Sequence, residues 1–132
     1  MKALAVSLML LVAAPAGAKC LLAKQKPMTE VQLLFGRDIP GGGTVGDDDW
    51  SKYVNEVIAE AFPDGFTVSD AEGAWRDAKT GAAVHEKSKI VFIEAGASPE
   101  LAGRLERVAD VYRRRFHQDA VGIVTREVCA AF

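Results

Sequence analysis

The sequence is poor in the features that mark several common functions. It contains two cysteines and two histidines, and its formal net charge is −2 over 132 residues. A nucleic-acid interface needs a basic stripe or groove, and the one dense basic run, Arg113–Arg115, fans around a predicted helix. His85 and His117 lack the short spacings of zinc-binding helices. The sequence therefore predicts no nucleic-acid partner, no metal site and no cofactor.

Long hydrophobic runs are also missing. The apolar stretch Ala3–Ala14 is shorter than the ~20 apolar residues that a membrane-spanning helix needs. Lys2 precedes this stretch and Pro15–Ala18 follows it, which is the pattern of a secretory signal peptide with a small-residue cleavage site. Residues 1–18 are therefore predicted to be removed near Ala18, leaving a protein in the periplasm or outside the cell with no membrane span.

The two cysteines lie near opposite ends of the chain that follows the signal peptide. They are Cys20 and Cys129. Export brings them into an oxidising compartment, where thiols tend to pair. One intramolecular disulfide is therefore expected, and two unpaired thiols are the alternative.

Hydrophobic periodicity and turn residues divide the rest into an N-terminal arm, residues 19–30, and a single domain, residues 31–132. The predicted elements alternate as strand, helix, strand, strand, helix and strand, over residues 31–37, 47–62, 66–76, 84–94, 98–117 and 120–128. This order is typical of the ferredoxin-like βαββαβ sandwich, an α+β fold. Right-handed connections then give an antiparallel sheet of four strands in the order 4-1-3-2, with both helices on one face.

Local patterns refine this picture. The predicted inward stripe of the first helix comprises Trp50, Val54, Val57 and Ala61. The predicted stripe of the second helix comprises Leu101, Leu105, Val108 and Tyr112. In the second strand, Gly73 is expected to form a bulge or kink.

The strands are apolar on both faces, although two helices can cover only one. Leu34 points away from Leu33 and Phe35 in the first strand, and the third and fourth strands repeat this pattern. An uncovered apolar face predicts that a ligand or a second copy of the chain packs against it, as in a homodimer. A monomer with scattered surface aliphatic side chains is the alternative.

Strand ends and loops are expected to meet at one end of the sheet and to form the candidate site. The candidate ligand-binding residues there are Arg37, Trp75, Arg76, His85, Glu86, Lys89 and Gln118. One interpretation is structural, with Arg37 and Glu86 forming a cross-strand ion pair. The other is a pocket in which Arg37 or Arg76 holds a carboxylate beside the flat ring of Trp75. In that pocket Glu86 or His85 would move protons.

The glycine run Gly41–Gly43 lies between a strand and a helix, as phosphate-binding loops do. It lacks the lysine of a P-loop, and Asp47–Asp49 place negative charge where a phosphate would bind. A purely structural loop is therefore expected.

A set of positions along the chain resembles the sequence pattern of one known family. The matching positions are Phe35-Gly36-Arg37, Ile39-Pro40-Gly41-Gly42, Val45, Trp50, Phe62-Pro63-Asp64-Gly65-x-Thr67-Val68, Gly73-x-Trp75, Glu86-x-Ser88-Lys89, Tyr112 and Phe116-x-Gln118. They resemble domain-of-unknown-function family 3574, whose members are small exported bacterial proteins, over nearly the whole chain after residue 18. The resemblance implies no activity, substrate or cofactor. His85 stands where the family commonly has arginine, which weakens any site that needs two basic residues there.

Two functions are consistent with these observations. The first is a non-catalytic envelope module that binds a partner or itself through its open sheet face. The alternative is a small-molecule enzyme, in which paired domains form a dimeric α+β barrel with a site at the Arg37, Trp75 and Glu86 end of the sheet. The sequence leaves open whether the protein is an enzyme and which small molecule or protein it binds.

Overall fold

A computed structural model describes residues 19–132, so the predicted signal peptide, residues 1–18, lies outside the described residues. The strands are β1 (Lys26–Gly36), β2 (Thr67–Arg76), β3 (Ala83–Ala95) and β4 (Gly122–Ala130). Helix α1 runs through Asp47–Tyr53, Val54–Ile58 and Ala59–Ala61, and helix α2 spans Leu101–Phe116. Within residues 19–132, no helix combines the length and the apolar character needed to cross a membrane.

The strands form one antiparallel sheet of four strands in the order β2-β3-β1-β4. This is the predicted order 4-1-3-2 read from the other edge, so the α+β class and the topology are confirmed. A tight hairpin joins β2 to β3, because the Asp77 carboxylate accepts hydrogen bonds from the backbone N–H of Lys79 at 2.9 Å and of Thr80 at 2.7 Å. Each of the other two connections carries one helix, and both helices contribute to the same core.

Strand β1 begins within the segment that the sequence assigned to an arm. It pairs with β4 from Lys26, opposite Ala130, to Leu34, opposite Gly122. The shortened arm, residues 19–25, carries Cys20, which is bonded to Cys129 on β4 with their Cα atoms 5.6 Å apart. The predicted disulfide is therefore present, and it uses both cysteines of the chain.

Helix α1 packs its predicted apolar stripe against the core but buries it only in part. Val54–Ile58 is a π-helical segment, in which backbone hydrogen bonds span five residues instead of four. The wider turn moves the fully buried positions to Tyr53 and Ile58, whereas Val54 and Val57 are only partly buried against the core. The prediction differs from the structure here because it assumed a period of 3.6 residues along the whole helix.

The core lies between the sheet and the helices and is built around aromatic rings. The ring centroid of Phe35 on β1 lies 5.2 Å from that of Trp50 and 4.8 Å from that of Tyr112, both in edge-to-face geometry. Helix α2 keeps the ordinary α-helical period, and it buries Leu105, Val108 and Tyr112 as predicted. Edge-to-face pairs add to the stability that burial of the rings provides.

Both phenols of this core have backbone partners. The Tyr53 hydroxyl donates to the carbonyl of Val108 at 2.9 Å, and the Tyr112 hydroxyl donates to the carbonyl of Gly36 at 2.9 Å. Burial raises the pKa of both phenols above its ordinary value. The neutral hydroxyl is therefore the form that the folded protein favours.

Candidate functional site

The sheet has one face on the core and one face away from the helices. On β1, Val31, Leu33 and Phe35 are fully buried against the helices, so Leu34 between them points to the opposite side. We call this second surface the open face. Its most exposed large apolar side chains are Leu34 (38% exposed), Val124 (47%) and Trp75 (48%).

One end of the open face forms a hollow of about 610 Å³, which we call the Glu86 hollow. Its lining comes from β1, β2 and β3, from the loop after β1 and from the segment before β4. The lining residues are Leu34, Gly36, Asp38, Ile39, Pro40, Gly73, Trp75, Val84, Glu86, Ser88, Gln118, Asp119 and Ala120. Among the sequence-predicted site residues, the structure brings Trp75, Glu86 and Gln118 together in this hollow.

Two glycines make room for the polar side chains of the hollow. A Cβ at Gly36 would lie 2.5 Å from Glu86 Oε1, and a Cβ at Gly73 would lie 3.3 Å from Ser88 Oγ. Neither glycine has a positive φ, so backbone conformation does not require it. Gly73 pairs with Glu86 in an unbroken register, and the bulge predicted there is absent. The side chains of Glu86 and Ser88 occupy the space that a larger residue would need, which explains why glycine stands at both positions.

Gln118 is placed by the end of helix α2. His117 ends that helix in the left-handed conformation with φ of 52°, and the backbone N–H of Gln118 donates to the carbonyl of Arg113 at 3.0 Å. The side-chain amide of Gln118 then donates to the carbonyl of Asp38 at 2.8 Å. This hydrogen bond joins two walls of the Glu86 hollow, the segment before β4 and the loop after β1.

The Glu86 hollow is acidic and partly aromatic. Among the described residues that line it, Asp38, Glu86 and Asp119 carry carboxylates and none is basic. Glu86 takes part in none of the ion pairs within residues 19–132. Trp75 adds a ring that is about half exposed. Carboxylates and an aromatic face together favour a positively charged ligand.

Arg37 lies on the helix side of the sheet and does not reach the hollow. It follows Phe35 by two residues and therefore shares its face. Its Nε donates to the carbonyl of Val45 at 2.8 Å, and its Nη2 pairs with Asp47 Oδ1 at 2.8 Å. The expected ion pair between Arg37 and Glu86 does not form within residues 19–132, because the two side chains lie on opposite faces.

The other three predicted residues also have partners elsewhere. Lys89 shares the helix side with Arg37, and Arg76 and His85 lie along the hairpin. Their partners are Asp70 for Lys89, the carbonyl of Gly81 for Arg76, and Glu72 Oε1 for His85 Nδ1 at 2.9 Å. None of the three lines the Glu86 hollow, and Arg37 and Lys89 instead line one cavity of about 560 Å³ on the helix side.

Sequence reasoning missed a second polar cluster, at the opposite end of the open face, which we call the Glu30 cluster and which comprises Glu30, Glu94 and Arg126. Glu30 on β1 lies opposite Glu94 on β3 and opposite Arg126 on β4. Arg126 Nη2 lies 2.6 Å from Glu30 Oε1, and its hydrogen bond lowers the pKa of Glu30. Burial, followed by repulsion from Glu30, raises the pKa of Glu94. Only the strand register brings these residues together, and no local sequence spacing could indicate it.

The glycine loop between β1 and α1 has a backbone explanation. Gly41, Gly42 and Gly43 have φ of 91°, 121° and 94°, a region that favours glycine. A bridge between Asp38 and Thr44 closes the loop. These features agree with the structural interpretation of the loop and supply no phosphate site.

A comparison with curated proteins gives no match. Among solved structures, the chain is similar to a phage SAM lyase in complex with S-methyl-5'-thioadenosine, with 15% identity and a TM-score of 0.58 over 87% of this chain and 97% of that chain. It is also similar to a phage SAM lyase in the apo state, with 17% identity and a TM-score of 0.57 over 88% of this chain and 98% of that chain. The TM-scores show a shared fold, and at such low identities the likeness shows the fold alone. A family model described as protein of unknown function (DUF3574) matches residues 30–132, and the chain therefore belongs to the DUF3574 family.

Proposed function

We propose that the Glu86 hollow binds a small organic cation that carries a planar ring. The observation that carries this proposal is the lining of the hollow, where Asp38, Glu86 and Asp119 supply carboxylates, Trp75 supplies a ring, and no described lining residue is basic. A cation gains from both the carboxylates and the aromatic face, whereas an anion is repelled. The volume of about 610 Å³ lies within the range of small-molecule sites.

Sulfonium nucleosides are the first ligands of this class to test. SAM carries a positively charged sulfur beside an adenosyl group, which matches the charge and the planar ring that the hollow favours. The shared fold with phage SAM lyases supports this choice of probe. If bound SAM is cleaved by elimination, a carboxylate of the hollow such as Glu86 would take a proton from the amino-acid chain as the bond between that chain and the sulfonium sulfur breaks. The electron pair of the broken bond would leave with the sulfur, so the products would be neutral S-methyl-5'-thioadenosine and an unsaturated amino acid.

Isothermal titration with SAM and with S-adenosylhomocysteine tests the proposal, because the second compound keeps the adenosyl group and the amino-acid chain and lacks the sulfonium charge. We expect SAM to bind at least about tenfold more tightly. Glu86→Gln should remove most of that preference, and Trp75→Ala should weaken both ligands. Glu72→Gln, on the other side of the sheet, is the matched control and should leave binding unchanged.

Equal affinity for the two compounds, or a Glu86→Gln variant that binds SAM like the wild type, would contradict the proposal. Chromatography of the SAM reaction separates binding from catalysis. Release of S-methyl-5'-thioadenosine that depends on Glu86 would support the enzyme alternative. Stable binding without release would support a binding module.

Self-association through the open face is the second candidate function. Leu34, Ile90, Phe92 and Val124 form an apolar band across the middle of that face, between the Glu86 hollow and the Glu30 cluster, and Gln32 interrupts it between Phe92 and Val124. A second copy of the chain, packed face to face, would cover this band. Light scattering should then report a dimer that Val124→Glu dissociates, whereas a strict monomer at high concentration would reject this candidate.

We also propose that the protein acts outside the cytoplasm. The disulfide between Cys20 and Cys129 supports an oxidising compartment, and the signal-peptide pattern of residues 1–18 agrees with export. Cell fractionation with N-terminal sequencing should find a chain that starts at Lys19 in the periplasm or the medium. A cytoplasmic chain that still carries residues 1–18 would contradict this.

A further inference from the structure

The end of the sheet away from the Glu86 hollow contains a second cavity, of about 670 Å³. It lies where β3 extends past the start of β2, since the pairing of these strands ends at Thr67 and Phe92. The segment that leads from α1 into β2 and one side of helix α2 complete its wall. None of the predicted site residues lines this cavity, and it shares no lining residue with the Glu86 hollow.

The wall of this cavity is largely aromatic and aliphatic. It contains Phe62, Phe66 and Phe92, with Met28 and Ile93 beside them. Phe62 is almost completely buried in the core, which fixes that part of the wall. Such a surface suits an apolar chain or ring.

Arg104 of helix α2 brings a positive charge to this apolar wall. Its guanidinium lies 5.2 Å from the ring centroid of Phe62, and its Nη1 donates to the carbonyl of Ala61 at 3.1 Å. Its Nε is buried and has no acceptor among residues 19–132. A buried donor without an acceptor is unfavourable, so this guanidinium has hydrogen-bonding capacity that no described residue uses.

Glu94 lines the same cavity from the open face. Its Oε2 is buried and receives no hydrogen bond from residues 19–132. Burial and the neighbouring Glu30 raise the pKa of Glu94, while Arg126 opposes this effect. In its protonated form Glu94 would donate a hydrogen bond to a ligand carboxylate, and in its ionised form it would repel one. The one other acidic side chain among the described lining residues is Asp64.

We propose that this cavity binds an apolar carboxylate, with its hydrocarbon part against Phe62, Phe66 and Phe92 and its carboxylate on Arg104. An apolar wall with one fixed guanidinium recognises a hydrocarbon chain and an anionic head at the same time. The site is independent of the Glu86 hollow, which favours cations and lies at the other end of the sheet.

Isothermal titration of the disulfide-bonded protein with octanoate tests the proposal, with 1-octanol and octyltrimethylammonium as the neutral and cationic controls. We expect octanoate to bind at least about tenfold more tightly than either control. Arg104→Gln should reduce octanoate affinity about tenfold or more, whereas Arg107→Gln, on an exposed part of the same helix, should not change it. Glu94→Gln removes the acidic charge and keeps a donor, so it should bind octanoate at least as tightly as the wild type.

Octanoate that binds no better than octyltrimethylammonium would overturn the proposal, as would equal octanoate affinity in the Arg104→Gln and Arg107→Gln variants. Thermal unfolding of each variant shows whether it is folded. If Arg104→Gln does not fold, the ranking of the three ligands on the wild-type protein decides the matter. Loss of SAM binding has no bearing on this result, so the two proposals fail separately.

Discussion

Tyr112 and Glu86 reach the same residue, Gly36, from opposite faces of the sheet. The Tyr112 hydroxyl donates to the Gly36 carbonyl at 2.9 Å from the core side. On the open face, the Glu86 carboxylate occupies the space that a side chain at Gly36 would need. A change at Gly36 therefore acts on the Glu86 hollow and on the hydrogen bond from the core at the same time.

A methyl group at Gly36 should disturb the Glu86 hollow more than the fold. In Gly36→Ala the Glu86 carboxylate must move, and because it ends a flexible side chain we expect a loss of less than about 1 kcal/mol in unfolding free energy. Binding of SAM should fall about tenfold or more. Thermal unfolding and titration calorimetry measure the two effects, and Gly96→Ala, which meets no atom within 4 Å, is the control.

A double-mutant cycle identifies the cause of the loss of SAM affinity in Gly36→Ala. If the Gly36→Ala methyl group acts by displacing Glu86, its effect on binding should disappear in a Glu86→Ala background. Full additivity of the two changes would show that Gly36 acts through the backbone instead.

The two tyrosines should resist ionisation until the protein unfolds. The chain contains two tyrosines, and burial raises the pKa of both above the ordinary value of 10.0. Below about pH 10 both the folded and the unfolded chain keep the phenolic protons, so stability is unaffected. Above that pH the unfolded chain releases protons and the folded chain does not, so the unfolding free energy falls as pH rises.

Phenolate absorbance recorded beside circular dichroism tests this expectation. Phenolate should appear together with the loss of the native signal, in one cooperative step. A titration of either tyrosine near its ordinary pKa with the native signal intact would show that the phenols are accessible.

Arg37 should prove to be a structural residue. It is 8% exposed, and its guanidinium binds the Val45 carbonyl and Asp47. Arg37→Gln should lower the unfolding free energy by about 1–3 kcal/mol, because the buried carbonyl loses a charged donor. Affinity for SAM in the folded variant should stay within about twofold of the wild type. A variant with wild-type stability and impaired SAM binding would instead show that Arg37 contributes to the ligand site.

The disulfide should account for a large share of the stability. Cys20 and Cys129 are separated by 109 positions, and the chain-entropy model gives about 4–5 kcal/mol for a loop of this size. Denaturant unfolding of the Cys20→Ser/Cys129→Ser variant, compared with the oxidised wild type, measures this contribution. A difference below about 1 kcal/mol would mean that the unfolded chain gains little freedom without the bond.

The fold could be predicted because its signals are local and its connections follow general rules. Gly and Pro positions mark the strand ends, helix α2 shows an unbroken 3.6-residue period, and right-handed crossovers leave one strand order. Helix α1 was predicted less well, since the π-helical segment Val54–Ile58 depends on how Tyr53 and Ile58 fit the core. The hydrophobic periodicity of the sequence does not predict this π-helical segment.

The candidate site could be predicted in part. A hairpin and the entry to the last strand meet at one end of the sheet, which predicts that Trp75, Glu86 and Gln118 lie together, and they do line one hollow. The same rule also places Arg37 and Lys89 at that end, but the alternation of faces along a strand turns their side chains to the helix side. The Glu30 cluster needs the register of three strands, which a single sequence does not specify.

The position of the disulfide also determines how the domain responds to force. Tension applied between residue 19 and residue 132 enters through Cys20 and leaves through Cys129. The covalent bond carries that load, so residues 21–128 and the hydrogen bonds among them are shielded from it. Reduction would transfer the load to those hydrogen bonds. In a pulling experiment the oxidised domain should therefore act as a short, inextensible link, and the reduced domain as one that unravels.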